Sequence, residues 1–191
     1  MKQILQHQAS GDLIAMEVPV PTCLEGGVLV HNAASVISAG TERTTVSVAR
    51  KSLIGKARAR PDLVRQVLAS VKDQGLGPTI DKVRSRLDAL RPLGYSCAGT
   101  VIETGRTIEG IQPGDRVACA GGGYANHAET VFVPRNLCVR VPENVTLDSA
   151  SFTTLGSIAL HGVRQADARL GEWVAVLGLG LIGQIIVQVL K

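Results

Sequence analysis

Three glycines near the carboxyl end of the chain have the spacing of a binding site for the pyrophosphate of a dinucleotide. Gly178, Gly180 and Gly183 form the pattern GxGxxG within VLGLGLIG. A pyrophosphate requires a helix N-terminus with free N–H groups and a backbone that the ligand can approach closely. The three glycines suit, in order, a tight turn, that close approach and a close contact of helix with strand. The predicted contact residues are Gly178, Leu179, Gly180, Leu181, Ile182 and Gly183.

Apolar segments on both sides give this glycine turn the context that the motif requires. The run VAVL at 174–177 predicts a buried strand, and QIIVQVLK at 184–191 predicts the start of a helix. The acidic residue that binds a ribose hydroxyl is expected about 20 residues after the turn, beyond Lys191, so NAD and NADP are not distinguished. The alternative interpretation is a buried glycine-rich turn that holds no ligand.

Composition and cysteine usage indicate a globular protein of a reducing compartment. Of 191 residues, 45% are hydrophobic and 19% are charged, as in ordinary folded domains. The four cysteines include no CxxC pair, which argues against a zinc ribbon and against a secreted disulfide framework. The amino terminus lacks the apolar run of a signal peptide, and the apolar stretch 174–190 is at the lower limit of a membrane span. We therefore expect a cytoplasmic protein without a membrane partner.

Most of the positive charge lies in one segment. Residues 50–92 contain eleven Lys or Arg and four Asp or Glu, a net charge of +7, whereas the rest of the chain carries −3. Apolar residues recur there at helical spacing and predict two amphipathic helices. Pro61 suits the start of the first helix, and Gly75, Gly77 and Pro78 separate it from the second. The apolar positions are Leu63, Val67, Val71, Ile80, Val83, Leu87 and Leu90.

The remaining segments predict strands and one long helix. Short runs with partial alternation, separated by turn formers, predict strands on both sides of the basic segment. They are KQILQH, LIAMEVPVP, GGVLVHNAASVIS, CAGTVIETG, a short strand after IQPGD, HAETVFVP and LCVRVP. A helix is predicted from Thr146, whose hydroxyl caps it, to about Arg169. The sequence therefore predicts a mixed α/β protein whose β unit is interrupted by a helical insert.

Four motifs in this order resemble the medium-chain dehydrogenase/reductase superfamily, which contains the zinc alcohol dehydrogenases and the quinone reductases. They are GYSCAGTV (94–101), PGDRV (113–117), HAETVFVP (127–134) and VLGLGLIG (176–183). The resemblance implies a GroES-like β-barrel as the catalytic domain over residues 1–145, with the basic insert at 44–92. Residues 146–191 would be a linker helix and the first strand and helix of an incomplete Rossmann domain. The implied activity is NAD(P)-dependent oxidation or reduction of an alcohol or carbonyl group.

The positions that carry catalytic zinc in that superfamily hold other residues in this chain. Ala39 in AGTE stands at the first cysteine, Tyr95 in GYSC at the histidine, and Thr154 in TTLGS at the last cysteine. Catalytic zinc requires three N, S or carboxylate ligands and an open position, and Ala, Tyr and Thr do not supply that set. The structural zinc lobe is also missing, because its segment contains only Cys119. The resemblance therefore implies an enzyme without a metal.

Without a metal, hydrogen-bond donors must stabilise charge on the substrate oxygen. Thr41 matches the superfamily's proton-relay hydroxyl, and Tyr95 replaces a ligand that faces the same pocket, so both are candidate catalytic residues. The alternatives are a cap hydroxyl for Thr41 and a hydrogen-bonded, half-buried side chain for Tyr95. Thr154 is assigned to the cofactor site. His127, placed in a strand, and His161, placed in the helix, are expected to be structural.

The insert, with the flanking SAGTE and PLGYSCAG, resembles a subgroup of bi-domain oxidoreductases linked to surface-polysaccharide synthesis. This resemblance implies a small-molecule substrate that is a sugar or nucleotide sugar and a second dehydrogenase domain downstream. The sequence leaves the oligomeric state open, with a homo-oligomer as one alternative. Lys51, Lys56, Arg58 and Arg60 would attract a phosphorylated substrate or, alternatively, line a solvated helical face. The insert has no aromatic side chain for base stacking, so no nucleic-acid partner is expected. The alternative function is a cofactor-binding or scaffold module without catalysis.

Overall fold

The chain folds as a mixed α/β protein that divides into two compact units. The computed structural model describes residues 1–52, 55, 58 and 61–191, with the backbone alone at 63, 84 and 86. The small unit contains Lys2–Glu17 and Ser38–Leu93, and the large unit contains Met1, Val18–Ile37 and Gly94–Lys191. The predicted mixed α/β class is confirmed, whereas the expected boundary at residue 145 stays a prediction.

The small unit combines a three-stranded antiparallel sheet with helices. Strand β1 (Lys2–His7) pairs with β2 (Leu13–Glu17) on one side and with the short β4 (Leu90–Pro92) on the other. The helices of this unit with described bounds include α1 (Ala39–Ala49), α2 (Pro61–Gln74) and α3 (Leu76–Asp88). The two predicted amphipathic helices are therefore confirmed as α2 and α3, and Pro61 opens α2 as its fixed φ angle favours.

The second amphipathic helix begins earlier than the glycine and proline pattern predicts. Gly75, with a φ of +84°, separates α2 from α3, but Gly77 and Pro78 lie inside the first turn of α3. Proline is tolerated there because the first-turn N–H groups have no partner within a helix. Gly77 and Pro78 therefore belong to α3, and the prediction that they separate the two helices is wrong.

Leu90 belongs to a strand and not to a helix face, so its predicted role is wrong. Ala89 has an extended backbone, with a ψ of 140°, and ends α3. Leu90 then pairs with His7 at the end of β1, and Arg91 with Gln6. A three-residue strand has too short a pattern to be recognised, since its pairing partner comes from the start of the chain.

The large unit contains a five-stranded antiparallel sheet in the order β7-β3-β5-β6-β8. Its strands are β3 (Gly27–Ser35), β5 (Ser96–Thr104), β6 (Arg116–Ala120), β7 (Thr130–Pro134) and β8 (Cys138–Arg140). One face packs into the apolar core, whose buried members include Val28, Val30, Cys97, Val101, Val117, Cys119, Val131, Val133 and Cys138. The predicted strands on both sides of the insert are all present. Most are shorter than predicted, whereas β1 has the predicted bounds and β5 begins one residue earlier.

The single helix predicted from Thr146 is two helices, α4 (Leu147–Ala150) and α5 (Thr153–Gln165). The predicted cap is confirmed, because the Thr146 hydroxyl accepts a hydrogen bond from the Ser149 N–H at 3.2 Å. The break falls at Ser151, whose carbonyl accepts a hydrogen bond from the buried Ser96 hydroxyl on β5. Helix α5 also ends before the predicted Arg169, because Asp167 adopts a left-handed φ of 49°.

The segment 174–177 does not form the predicted buried strand. It has no strand partner among the described residues, and the side chain of Leu177 is 98% exposed. A strand is stable only when neighbours pair its N–H and C=O groups and cover its apolar faces. The predicted helix after the glycine turn is confirmed as α6 (Leu181–Leu190), which packs against α5. No helix in the described ranges has the length and apolarity that a bilayer crossing requires.

Candidate functional site

The glycine turn ahead of α6 is closed by a backbone contact that excludes a side chain. Gly178 has a φ of +92°, in the region that favours glycine. Its carbonyl oxygen lies against Gly183 so closely that a Cβ built on Gly183 would overlap it. A Cβ built on Gly180 would meet nothing within 4 Å. The structure therefore distinguishes a glycine required by packing, Gly183, from one that leaves open space, Gly180.

The first turn of α6 presents backbone donors beside this open space. Gly180 is the N-cap, and its carbonyl accepts the N–H of Gln184 at 2.9 Å. The N–H groups of residues 181–183 precede that first helical bond, so they have no partner within the helix. The Gln184 side-chain amide donates to the Leu179 carbonyl at 3.0 Å and supports the turn from outside. Free N–H groups at a positive helix end can bind a phosphate group.

Tyr95 lies in the large unit immediately before β5. Its carbonyl accepts the Gly121 N–H at 2.9 Å, which anchors its backbone, and its side chain is half-buried. No group in the described part of the chain forms a hydrogen bond with its hydroxyl. That hydroxyl is therefore available as a donor, while its catalytic role stays a prediction.

Thr41 lies in the small unit, within the first turn of α1. Its side chain is exposed, and the Ser38 hydroxyl donates to its hydroxyl at 3.3 Å. The Glu42 carboxylate accepts the Ser38 N–H at 3.2 Å and satisfies one donor at the start of this helix. Thr41 is not the cap of this helix, because the N-cap is Ser38. Its proton-relay role stays a prediction.

Thr154 is the second residue of α5 and contacts the sheet of the large unit. Its hydroxyl donates to the Cys119 carbonyl on β6 at 3.5 Å, the outer limit of a hydrogen bond. The neighbouring contact of Ser96 with Ser151 is buried and holds β5 against the segment between α4 and α5. Both hydroxyls thus position helices on the sheet, and a cofactor contact of Thr154 stays a prediction.

A hydrogen-bonded group around His127 was not predicted from the sequence. His127 lies in a bend before β7, not in a strand as predicted, and its Nδ1 is 2.8 Å from the Ser35 hydroxyl. The side-chain amide nitrogen (Nδ2) of Asn32 donates one hydrogen bond to the carbonyl of Ala128, at 2.7 Å, and one to the carbonyl of Asn126, at 3.3 Å. No motif predicts these contacts, because the partners are more than 90 residues apart. His161 lies in α5, as predicted.

The described residues contain no cluster of metal-ligating side chains. Within residues 1–52, 55, 58 and 61–191, no three His, Cys, Asp or Glu side chains are grouped as a metal site. Ala39, Tyr95 and Thr154 do not provide the donor set of a catalytic zinc ion. Of the insert cations, Lys51 and Arg58 are exposed, whereas Lys56 and Arg60 lie outside the described residues.

Comparison with known proteins identifies the fold. No family model matches the chain. A D-guloside 3-dehydrogenase of Escherichia coli is 35% identical over 102 residues, covering 52% of this chain and 28% of that protein. An alcohol dehydrogenase superfamily protein from Novosphingobium aromaticivorans matches the whole chain and 50% of its own length, with a TM-score of 0.71 and 21% identity. The chain has the fold of the medium-chain dehydrogenase/reductase superfamily and is similar in sequence to its members.

This fold also occurs in a solved structure that contains NADPH. The quinone oxidoreductase of Escherichia coli, solved in complex with NADPH, matches 87% of the chain and 41% of its own length, with a TM-score of 0.58 and 16% identity. The chain spans about a third of the length of the curated relatives it matches. The medium-chain dehydrogenase/reductase resemblance and the GroES-like fold predicted from the four ordered motifs are thereby confirmed.

Proposed function

We propose that the protein carrying this chain is an NAD(P)-dependent oxidoreductase that interconverts an alcohol and a carbonyl group on a sugar or nucleotide sugar, without zinc. The glycine turn carries this proposal, because the contact of Gly178 with Gly183 closes the turn while the donors of α6 remain available. The Escherichia coli relatives of this fold, a D-guloside 3-dehydrogenase and a quinone oxidoreductase bound to NADPH, support the substrate class and the cofactor.

The proposal gives roles to the glycine turn, to Tyr95 and to Thr154, which all belong to the large unit. The open side of Gly180 admits the pyrophosphate, and the N–H groups of residues 181–183 bind its oxygens. The bound nicotinamide supplies or accepts a hydride. The Tyr95 hydroxyl holds the substrate oxygen by a hydrogen bond and gives it a proton when a carbonyl is reduced. Thr154 supports the start of α5 beside the cofactor.

Cofactor binding is tested by the change Gly180→Ala. The backbone of Gly180 has a φ of −72° and free space around it, so alanine fits without strain but occupies the approach path of the pyrophosphate. We expect the affinity for NADPH or NADH to fall at least about tenfold, which corresponds to ~1.4 kcal/mol. NMR titration of the labelled chain measures this and should shift the amide signals of residues 179–184.

A matched glycine controls for nonspecific effects of the added methyl group. Gly156 also has nothing within 4 Å of a built Cβ and lies in α5, so Gly156→Ala should leave cofactor affinity unchanged. Equal affinities of Gly180→Ala and the original chain would contradict the proposed site. The absence of any shift at residues 179–184 with millimolar cofactor would do the same.

Zinc independence is tested by metal analysis. We expect the purified chain to contain far less than one zinc ion per molecule, because Ala39, Tyr95 and Thr154 cannot form a catalytic zinc set. Elemental analysis after dialysis against a chelator measures the content. Near-stoichiometric zinc that survives dialysis would contradict this part of the proposal and would leave the cofactor proposal intact.

The second candidate function is a cofactor-binding or scaffold module without catalysis. It is favoured by the replacement of all three ligand positions, which removes the metal without adding an evident general base. Turnover distinguishes the two functions. Cofactor binding without oxidation of any sugar or sugar nucleotide would favour the module, and NAD(P)H formation would favour the enzyme.

A further inference from the structure

Three cysteines that are far apart in the sequence form one row across the sheet of the large unit. Cys97 on β5 is the register partner of Cys119 on β6, and Cys119 is the register partner of Cys138 on β8. All three side chains belong to the same buried core cluster, with 0%, 2% and 7% exposure in that order. The Sγ atoms of Cys119 and Cys138 are 3.6 Å apart.

We propose that Cys119 and Cys138 are a dithiol modification site that peroxide converts to an intramolecular disulfide. Paired residues of an antiparallel ladder have Cα atoms about 4.5–5.5 Å apart, within the span that a disulfide bridges. The two sulfur atoms already touch, so closing the bond to about 2.05 Å requires side-chain rotation and a small strand adjustment. The row does not depend on the cofactor site, so the proposal stands apart from the proposed function.

The surroundings of the two thiols assign them different roles. The hydrogen bond from Cys119 and the positive charge of Arg135 lower the pKa of the Cys138 thiol. The hydrogen bonds with Cys138 and Cys97, together with burial, raise the pKa of Cys119. Cys138 is also the most exposed of the three, on a short edge strand after a 3₁₀ turn. Cys138 is therefore the thiolate that reacts first, and Cys119 is the resolving thiol.

The reaction balances with one peroxide molecule. The Cys138 thiolate attacks one peroxide oxygen, the O–O bond breaks, and the departing hydroxide takes up a proton to become water, which leaves a sulfenic acid on Cys138. The sulfur of Cys119 then attacks the sulfenic sulfur. The S–S bond forms, the S–O bond breaks, and the thiol proton leaves with the hydroxyl group as a second water. Two thiols and one peroxide thus give one disulfide and two waters.

The test treats the folded chain with hydrogen peroxide, then denatures it and alkylates the remaining thiols. We expect two of the four cysteines to escape alkylation, with a peptide map that joins Cys119 to Cys138 and reversal by dithiothreitol. In Cys138→Ser this link is absent and Cys119 stays reduced. Cys23→Ser is the matched control, because Cys23 lies outside the row, and it should form the same link as the original chain.

A second variant covers the case in which a buried hydroxyl disturbs folding. Cys138→Ala removes the thiol without adding a polar group, and its circular dichroism should match that of the original chain. The proposal is overturned if all four thiols of the peroxide-treated folded chain remain alkylatable. It is overturned equally if the mapped link joins Cys97 to Cys119, or involves Cys23, or if Cys138→Ala still loses two thiols.

Discussion

Gly183→Ala is expected to open the glycine turn, weaken the attachment of α6 and abolish cofactor binding. The added Cβ would overlap the carbonyl oxygen of Gly178, and a backbone atom cannot rotate aside as a side chain can. Overpacking of this kind costs about 1–3 kcal/mol, and more where the obstacle is backbone. Hydrogen exchange of the α6 amides, measured by NMR on the folded chain, should show the loss of protection.

Variants at two neighbouring glycines distinguish the steric overlap at Gly183 from other effects of an added methyl group. Gly178→Ala adds a Cβ that meets nothing within 4 Å, but at a φ of +92° it carries a backbone cost of ~1–2 kcal/mol. Gly180→Ala has neither problem, so it should leave exchange in α6 unchanged while it lowers cofactor affinity. If Gly183→Ala leaves the exchange rates of α6 unaltered, the close contact between the turn and the helix is not as described.

Asn32→Asp is expected to lower the free energy of unfolding by about 2–3 kcal/mol, the upper part of the range for a partly buried polar group that loses its hydrogen bonds, because the new group is charged. The Asn32 amide nitrogen donates to two main-chain carbonyls, of Ala128 and Asn126, in the segment that carries His127. A carboxylate of the same shape would face those oxygens with a negative charge. Urea unfolding, followed by circular dichroism, measures the difference.

Two variants show whether charge or lost hydrogen bonds cause the loss. Asn32→Ala leaves the carbonyls without their donor and should cost about 1–3 kcal/mol, less than the aspartate. Asn136→Asp makes the same chemical change on an exposed residue of the 3₁₀ turn and should stay within ~0.5 kcal/mol of the original chain. An Asn32→Asp variant as stable as the Asn136→Asp variant would show that the Asn32 contacts do not stabilise the segment.

Local patterns were sufficient for α2, α3 and α6, for most strands and for the turn before α6. The spacing of Val71, Val83 and Leu87 predicts α2 and α3, because helical periodicity depends only on neighbours in the chain. The cap at Thr146 was predictable for the same reason, since its acceptor and donor are three residues apart. The four motifs in their order were enough to predict the fold, which solved structures of the alcohol dehydrogenase superfamily share.

Predictions failed where a partner distant in the sequence decides the conformation. Leu90 fits a helix face by spacing, yet pairing with His7 makes it part of a strand. The helix from Thr146 is divided at Ser151, whose carbonyl contacts Ser96 on the sheet. The segment 174–177 has the composition of a buried strand, but no described strand lies beside it, and composition alone cannot supply a hydrogen-bonding neighbour.

The amino-acid sequence by itself determined the spacing of the glycine turn and the class of the fold, because each depends on residue types at short, ordered distances. The absence of a catalytic zinc ion, inferred from Ala39, Tyr95 and Thr154, stays a prediction. Only the tertiary structure showed which glycine the packing requires, which carbonyls Asn32 binds, and that Cys97, Cys119 and Cys138 form one buried row. Strand register decides which cysteines lie side by side in this row. It is set by the pairing of β5, β6 and β8 across the sheet, and cysteine spacing along the chain contains no record of it.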